Sequence, residues 1–260
     1  MNYQTLQVRF QGPICFLSFH RPQANNVINN VMLEECSHVI SLCEESITIV
    51  VLEGLPEVFC LGADFAEMHA GSTNGQQYEQ IWEHLYDLWF KLATGPYITV
   101  SYVRGKANAG GVGFVAASDI VLADHTAQFS LPQLLFGLFP SHVLPFLIRR
   151  VGFQKAHYLS LMTQPISVQR AYSWGLVDEY EETSESLLRK HLLRLRYLSK
   201  TGILRYKRYM NELDARQGQA LSLWEAKSLA LAAKQEMWSD PENLKGIFRY
   251  VEEGLFPWED

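Results

Sequence analysis

Short β-branched runs and stretches of helical periodicity alternate through the first half of this chain, and few architectures accept that order. Ile47 to Leu52 is a nearly continuous apolar run, as a strand covered on both faces requires. Ile81 to Leu92 has helical spacing, Ile98 to Val103 is strand-like, Gly111 to Ala117 is a short helix, and Ile120 to Ala123 is another strand. Strands separated by helices in this way pack as parallel neighbours in an α/β core. Ahead of them, Leu6, Val8 and Phe10 share one face of a strand that turns at Gln11-Gly12-Pro13 and returns through Ile14, Phe16 and Ser18, closing at Arg21-Pro22. A helix then carries Met32, Cys36, Val39, Ile40 and Cys43 on one buried stripe.

From about residue 144 helical periodicity dominates. Leu188, Leu192, Leu195 and Leu198 form one stripe, and Leu221 to Met237 forms a long helix. The expected division is a sheet-bearing core over 1–195 followed by a helical region over 196–260. Gly71-Ser72-Thr73-Asn74-Gly75 has the composition of a mobile loop.

Composition removes several function classes. Twenty-two Lys and Arg against 28 Asp and Glu leave a net charge of −6, so global attraction to nucleic acid is not expected. No apolar stretch approaches the ~20 residues that span a bilayer, and Met1-Asn2-Tyr3-Gln4-Thr5 lacks the basic start of a secretory signal. A cytoplasmic protein without membrane contact is expected. The four cysteines (Cys15, Cys36, Cys43, Cys60) form no C-x-x-C pair and read as reduced core thiols. None of the eight histidines stands at metal-ligand spacing from another His or Cys, so no metal is expected. The cluster Gly105, Gly110, Gly111, Gly113 does not spell G-x-G-x-x-G and lacks the following acidic residue of a dinucleotide site.

Two segments carry chemistry. Phe59-Cys60-Leu61-Gly62-Ala63-Asp64-Phe65 follows the strand at 47–52 and its turn, and Gly105 to Gly113 follows the strand at 98–103. Each sits where a strand feeds a helix, so its first amides lack partners inside the helix. Two such turns at neighbouring strand ends can aim two N–H groups at one anionic oxygen. Taken singly, each is also read as an ordinary tight turn.

With these residues the chain resembles the crotonase, or enoyl-CoA hydratase/isomerase, superfamily. The resemblance rests on F-C-L-G-A-D at 59–64, A-G-G-V-G at 109–113, Ser118-Asp119-Ile120, Ala127 to Gln133, Gly137-Leu138-Phe139-Pro140 and Ala171 to Val177, in order. It implies a spiral of ββα units with a C-terminal helical trimerisation region, assembled as a trimer or hexamer. It also implies an acyl-thioester substrate carried on phosphopantetheine, with no further cofactor. Glu53 to Cys60, Leu85-Tyr86-Asp87-Leu88-Trp89, Val143 to Arg150 and the ending Phe256-Pro257-Trp258-Glu259-Asp260 resemble one branch, the hydratase homologues of bacterial polyketide β-branching cassettes. Members of that branch dehydrate a 3-hydroxy-3-methylglutaryl group on an acyl carrier protein to 3-methylglutaconyl.

By this resemblance the oxyanion donors are the amides of Ala63 and Gly110, and Leu61, Asp64, Tyr86, Gly111 and His142 are expected to bind the substrate. Hydratases of the superfamily usually carry two glutamates, at the positions matching 113 and 133. Here these are Gly113 and Gln133. Glycine at 113 fits the branch. Glutamine at 133 does not, because an amide neither takes nor gives a proton near neutral pH. It implies weakened activity, by a natural change or by a substitution made to trap a ligand. Asp64 is a substitute for the missing carboxylate or a helix cap, and Asp119 is structural. Tyr86, Lys91 and His142 are candidates for contacting the terminal carboxylate, or else serve surface or packing roles. The stretch Arg189-Lys190-His191 with Arg194 and Arg196 is a solvated face or a docking patch for an acidic carrier protein. Two other readings stay open: a CoA-linked hydratase, isomerase or decarboxylase, and a non-catalytic thioester-binding protein.

Overall fold

In the computed structural model the described residues are 3–70, 75–182, 184–216 and 221–259. The chain begins with β1 (Leu6–Gln11), β2 (Ile14–Phe19), α1 (Asn30–Ser46), β3 (Ile49–Glu53), β4 (Val58–Cys60), α2 (Phe65–Ala70) and α3 (Gly75–Thr94). It continues with β5 (Ile98–Val103), β6 (Lys106–Asn108), α4 (Gly110–Ala117), β7 (Ile120–Asp124), β8 (Gln128–Ser130) and a short 3-10 turn, Pro132–Phe136. Then follow α5 (Leu144–Val151), α6 (Phe153–Met162), β9 (Ile166–Ser167), α7 (Val168–Trp174), β10 (Glu179–Glu181) and α8 (Ser184–Leu195). The last helices are α9 (Lys200–Arg216), α10 (Leu223–Ser239) and α11 (Pro241–Glu253).

These elements form two sheets. The larger has the order β1-β2-β3-β5-β7-β10, parallel throughout except for the antiparallel β1–β2 hairpin. The smaller has the order β4-β6-β8-β9, with β4, β6 and β8 parallel. Alternation sorts the large sheet's side chains: Val50 and Leu52 face one core with α1, α3 and α4, while Ile49 and Val51 face a second core under α8 and α9. The whole stripe Met32, Cys36, Val39, Ile40, Cys43 is buried as its spacing requires. All four cysteines are buried and free.

Phe10, on the strand face it shares with Leu6 and Val8, is 50% exposed, because β1 is the sheet's edge and its end runs beyond the core. Two expectations shift. Leu198 falls outside the stripe it was grouped with, since α8 ends at Leu195 and the chain turns. The long helix begins at Leu223 rather than Leu221, because Ser222 caps it in a reciprocal box with Glu225. In the expected loop at 71–75, residues 71–74 lie outside those described, and Gly75 opens α3. No described helix is long and apolar enough to cross a membrane.

The C-terminal helices are tied to the core by polar anchors. Lys207 on α9 donates to Asp119 (2.7 Å) and to the Tyr97 carbonyl, and Asp119 also accepts from the Thr99 amide, which gives Asp119 the structural role expected of it. On α10, the Leu223 carbonyl accepts a 2.6 Å bond from the buried Tyr86 hydroxyl. Tyr86→Phe should therefore cost about 1 kcal/mol and lower the melting temperature by roughly 2–4 °C. An unchanged thermal melt would show that this bond does not hold α10.

Candidate active site

The small sheet builds the site by register. β4, β6 and β8 lie side by side and parallel, so the turns leaving their carboxyl ends emerge together. Those turns carry Ala63, Gly110 and Gln133. The first is clamped by Ile28: its amide donates to the Gly62 carbonyl (2.7 Å) and its carbonyl accepts from the Asp64 amide (3.0 Å). A parallel bridge of this form turns the N–H of the intervening Ala63 to the other side. The second turn pivots on Ala109, which holds a positive φ of 49° while its amide donates to the Ser130 carbonyl. Such a conformation at a non-glycine residue costs of order 1–3 kcal/mol, and it starts α4 with Gly110 facing Gly62. Among the described residues neither the Ala63 nor the Gly110 amide donates to a protein acceptor.

The two turns are in contact. A Cβ on Gly62 (φ 93°) would stand 2.8 Å from the Ala109 methyl and 3.3 Å from the Gly110 nitrogen. Ala63, Gly110 and Gln133 line one small cavity of about 60 Å3, together with Trp89, His142 and Lys234. A larger cleft of about 430 Å3 adjoins it, sharing Ile28, Ala63, Trp82 and Leu85. The Gln133 Oε1 is buried and accepts no hydrogen bond.

A model of the enoyl-CoA hydratase/isomerase family matches residues 9–260. The chain belongs to that family. It is 59% identical to the bacillaene synthase dehydratase PksH of Bacillus subtilis, over all of this chain and 98% of that protein. The crystal structure of a Bacillus subtilis polyketide biosynthesis enoyl-CoA hydratase (pksH) superposes with a TM-score of 0.91 at 57% identity, covering 98% of this chain and all of that one. More distantly, it is 29% identical to the 2,3-dehydroadipyl-CoA hydratase of Escherichia coli, over 67% of this chain and 68% of that protein. An enoyl-CoA hydratase/isomerase of Xanthobacter autotrophicus, 20% identical with a TM-score of 0.87, shares the fold. The chain is thus a PksH-like member of the family, of the hydro-lyase class.

Within this family member the site residues expected from sequence divide. Ala63, Gly110, Gln133 and His142 meet at the cavity. Gly111 turns away from it: a Cβ there would strike the Cys60 carbonyl at 2.2 Å, so glycine lets α4 pack on β4. Leu61 is half-buried and lines neither space. Tyr86 is absent from the cavity wall because its hydroxyl is spent on Leu223, and Lys91 is exposed at the end of α3. Asp64 lines the larger cleft, where it pairs with Arg21 (3.1 Å) and accepts from the Glu67 amide, capping α2. His142 is held neutral: burial, with Lys234 adding, pushes its imidazole down to about 3.

The basic stretch on α8 lies across the large sheet from the cavity. Leu187 and Leu188 sit in the second core, and Lys190 and His191 both reach Glu179.

Sequence spacing missed three residues of the cavity. Trp89 from α3 stands against Gly113, Trp82 packs beside His142, and Lys234 comes from α10, more than a hundred residues after Gln133. Trp89 lies in the stretch 85–89 that carries the branch resemblance, which gave it no role, and no motif marks Trp82 or Lys234; each belongs to the cavity only through helix packing.

Proposed function

We propose that the protein removes water from a 3-hydroxy-3-methylglutaryl thioester to give the 3-methylglutaconyl thioester, with the acyl group carried on an acyl carrier protein. The observation that carries this reading is the pair of undonated amides, Ala63 and Gly110, abutting at one cavity in a chain that matches PksH along its length. Taking a proton from C2 puts negative charge on the thioester oxygen. Two amides aimed at that oxygen stabilise it as it forms, and losing one such donor costs ~10²–10³ in rate. The adjoining cleft offers a route for the phosphopantetheine arm, and no other cofactor enters the scheme. The hydroxyl leaves with a proton that a carboxylate at 133 would shuttle from C2; Gln133 lacks it, so turnover is slow while binding persists. The α8 stretch is a poor docking patch for the carrier, being on the far side of the sheet and partly neutralised by Glu179.

Mass spectrometry of the carrier-linked substrate after incubation tests the proposal. Loss of one water is expected. Loss of carbon dioxide would point to a decarboxylase, and an unchanged mass to a thioester-binding protein. We further propose a trimer or dimer of trimers, in which Tyr206, Tyr209 and Met210, exposed on α9, would be covered. A strict monomer in sedimentation at micromolar concentration would contradict it.

A further inference from the structure

Among the described residues, Lys234 is a cation that no carboxylate pairs with. Part of its side chain reaches the surface, but the ammonium lies 3.7 Å from the centre of the Trp82 ring and 4.9 Å from that of Trp238, at the wall of the Gln133 cavity. Glu83 and Asp87, two acids of neighbouring α3, are both taken by Lys227. Indole faces attract a cation without cancelling its charge. Burial pushes the ammonium down to about 7, as expected of a charge that nothing nearby compensates. A packing role alone would be served at lower cost by an apolar side chain, since an unpaired buried charge is expensive. Of the three groups expected from sequence to meet a terminal carboxylate, His142 is a neutral imidazole, Tyr86 a hydroxyl committed to Leu223, and Lys91 is exposed at the end of α3.

We propose that Lys234 selects dicarboxylic acyl thioesters, its caged ammonium pairing with the carboxylate at the far end of the acyl chain. This rests on the acyl-thioester reading of the site and adds the feature that separates this substrate class from simple fatty acyl groups. The thioester oxygen would face Ala63 and Gly110, C2 and C3 would pass Gln133, and the distal carboxylate would end at Lys234. The pair would replace the water that each charge loses on binding, and Trp82 and Trp238 would hold the ammonium in place beforehand.

Equilibrium binding of two pantetheine thioesters tests this, using 3-hydroxy-3-methylglutaryl and the 3-hydroxy-3-methylbutyryl analogue that lacks the second carboxylate. The unmodified protein should prefer the dicarboxylic ligand by about tenfold or more, as a charge-assisted contact implies. Lys234→Met should abolish that preference and leave the monocarboxylic affinity within about threefold. The proposal is overturned if the unmodified protein binds both ligands equally, or if Lys234→Met weakens both alike, the mark of a purely structural lysine. Binding of the monocarboxylic thioester without preference defeats the proposal alone. Failure of both ligands to bind defeats the thioester reading and this proposal with it.

Discussion

Gln133→Glu should raise the rate of water loss from the β-hydroxyacyl thioester by about two orders of magnitude or more, the contribution typical of general acid–base catalysis. The side chain at 133 is placed by the 3-10 turn after β8, in the cavity wall with Ala63 and Gly110. Its Oε1 is buried with no partner, so no protein group competes for an oxygen at that position. A carboxylate there would lose hydration in a mainly apolar wall, which raises its pKa toward the working range of a proton shuttle. The proton on C2 is taken only by the ionised form, so the gain should grow as pH rises through that raised pKa. Thioester affinity should change far less, since both amides and the cleft are untouched. Single-turnover rates on the carrier-linked substrate measure the effect. A protein that is already fast, with no gain from glutamate, would place the base elsewhere; Asp64 is then the residue to test, although its pairing with Arg21 and its capping of α2 leave it little freedom.

Restoring the other glutamate should do harm instead. In the folded chain a Cβ on Gly113 would stand 2.3 Å from two ring atoms of Trp89, a side chain 1% exposed and packed edge-on against Phe114 and Phe146. The indole occupies the space a side chain at 113 would need. Gly113→Ala already overpacks this core, at roughly 1–3 kcal/mol. Gly113→Glu adds a buried carboxylate with no cation beside it, bringing the total to about 3 kcal/mol or more and the melting temperature down by roughly 6–12 °C. No activity should be gained. If Trp89 is the cause, Trp89→Ala and Gly113→Glu should be non-additive by at least about 1 kcal/mol, because the cavity left by the first accommodates the second. A Gly113→Ala protein that melts like the parent would show that Trp89 does not impose the glycine.

Much of this architecture is legible in the sequence because it is local. Alternating β-branched runs and the stripe through Met32, Cys36, Val39, Ile40 and Cys43 locate the large sheet and α1, since burial on one face imposes a period that a window of residues records. The two strand–helix turns are legible for the same reason, through small residues and glycines. The small sheet is not: its strands run three, three, three and two residues, too short for any periodicity. Yet its register is what brings Ala63, Gly110 and Gln133 to one place. The candidate carboxylate contacts divide: His142 reaches the cavity, while Tyr86 gives its hydroxyl to Leu223 and Lys91 is exposed at the end of α3, because residue type does not say which groups a helix spends on its own packing.

Covalent order and residue chemistry over short spans were enough for the α/β fold class and for the two turns that free backbone amides, while the conflict at position 133 showed in the sequence only through the family resemblance. Only packing between distant elements could show that Trp89 fills the space beside Gly113, that Tyr86 is a strut for α10, and that Lys234 ends between two indoles at the cavity wall. The first depends on how α3 packs on α4, the other two on how α10 settles on α3. Docking of that kind sums many weak apolar contacts and a few anchors between residues more than a hundred positions apart, and no local spacing encodes it.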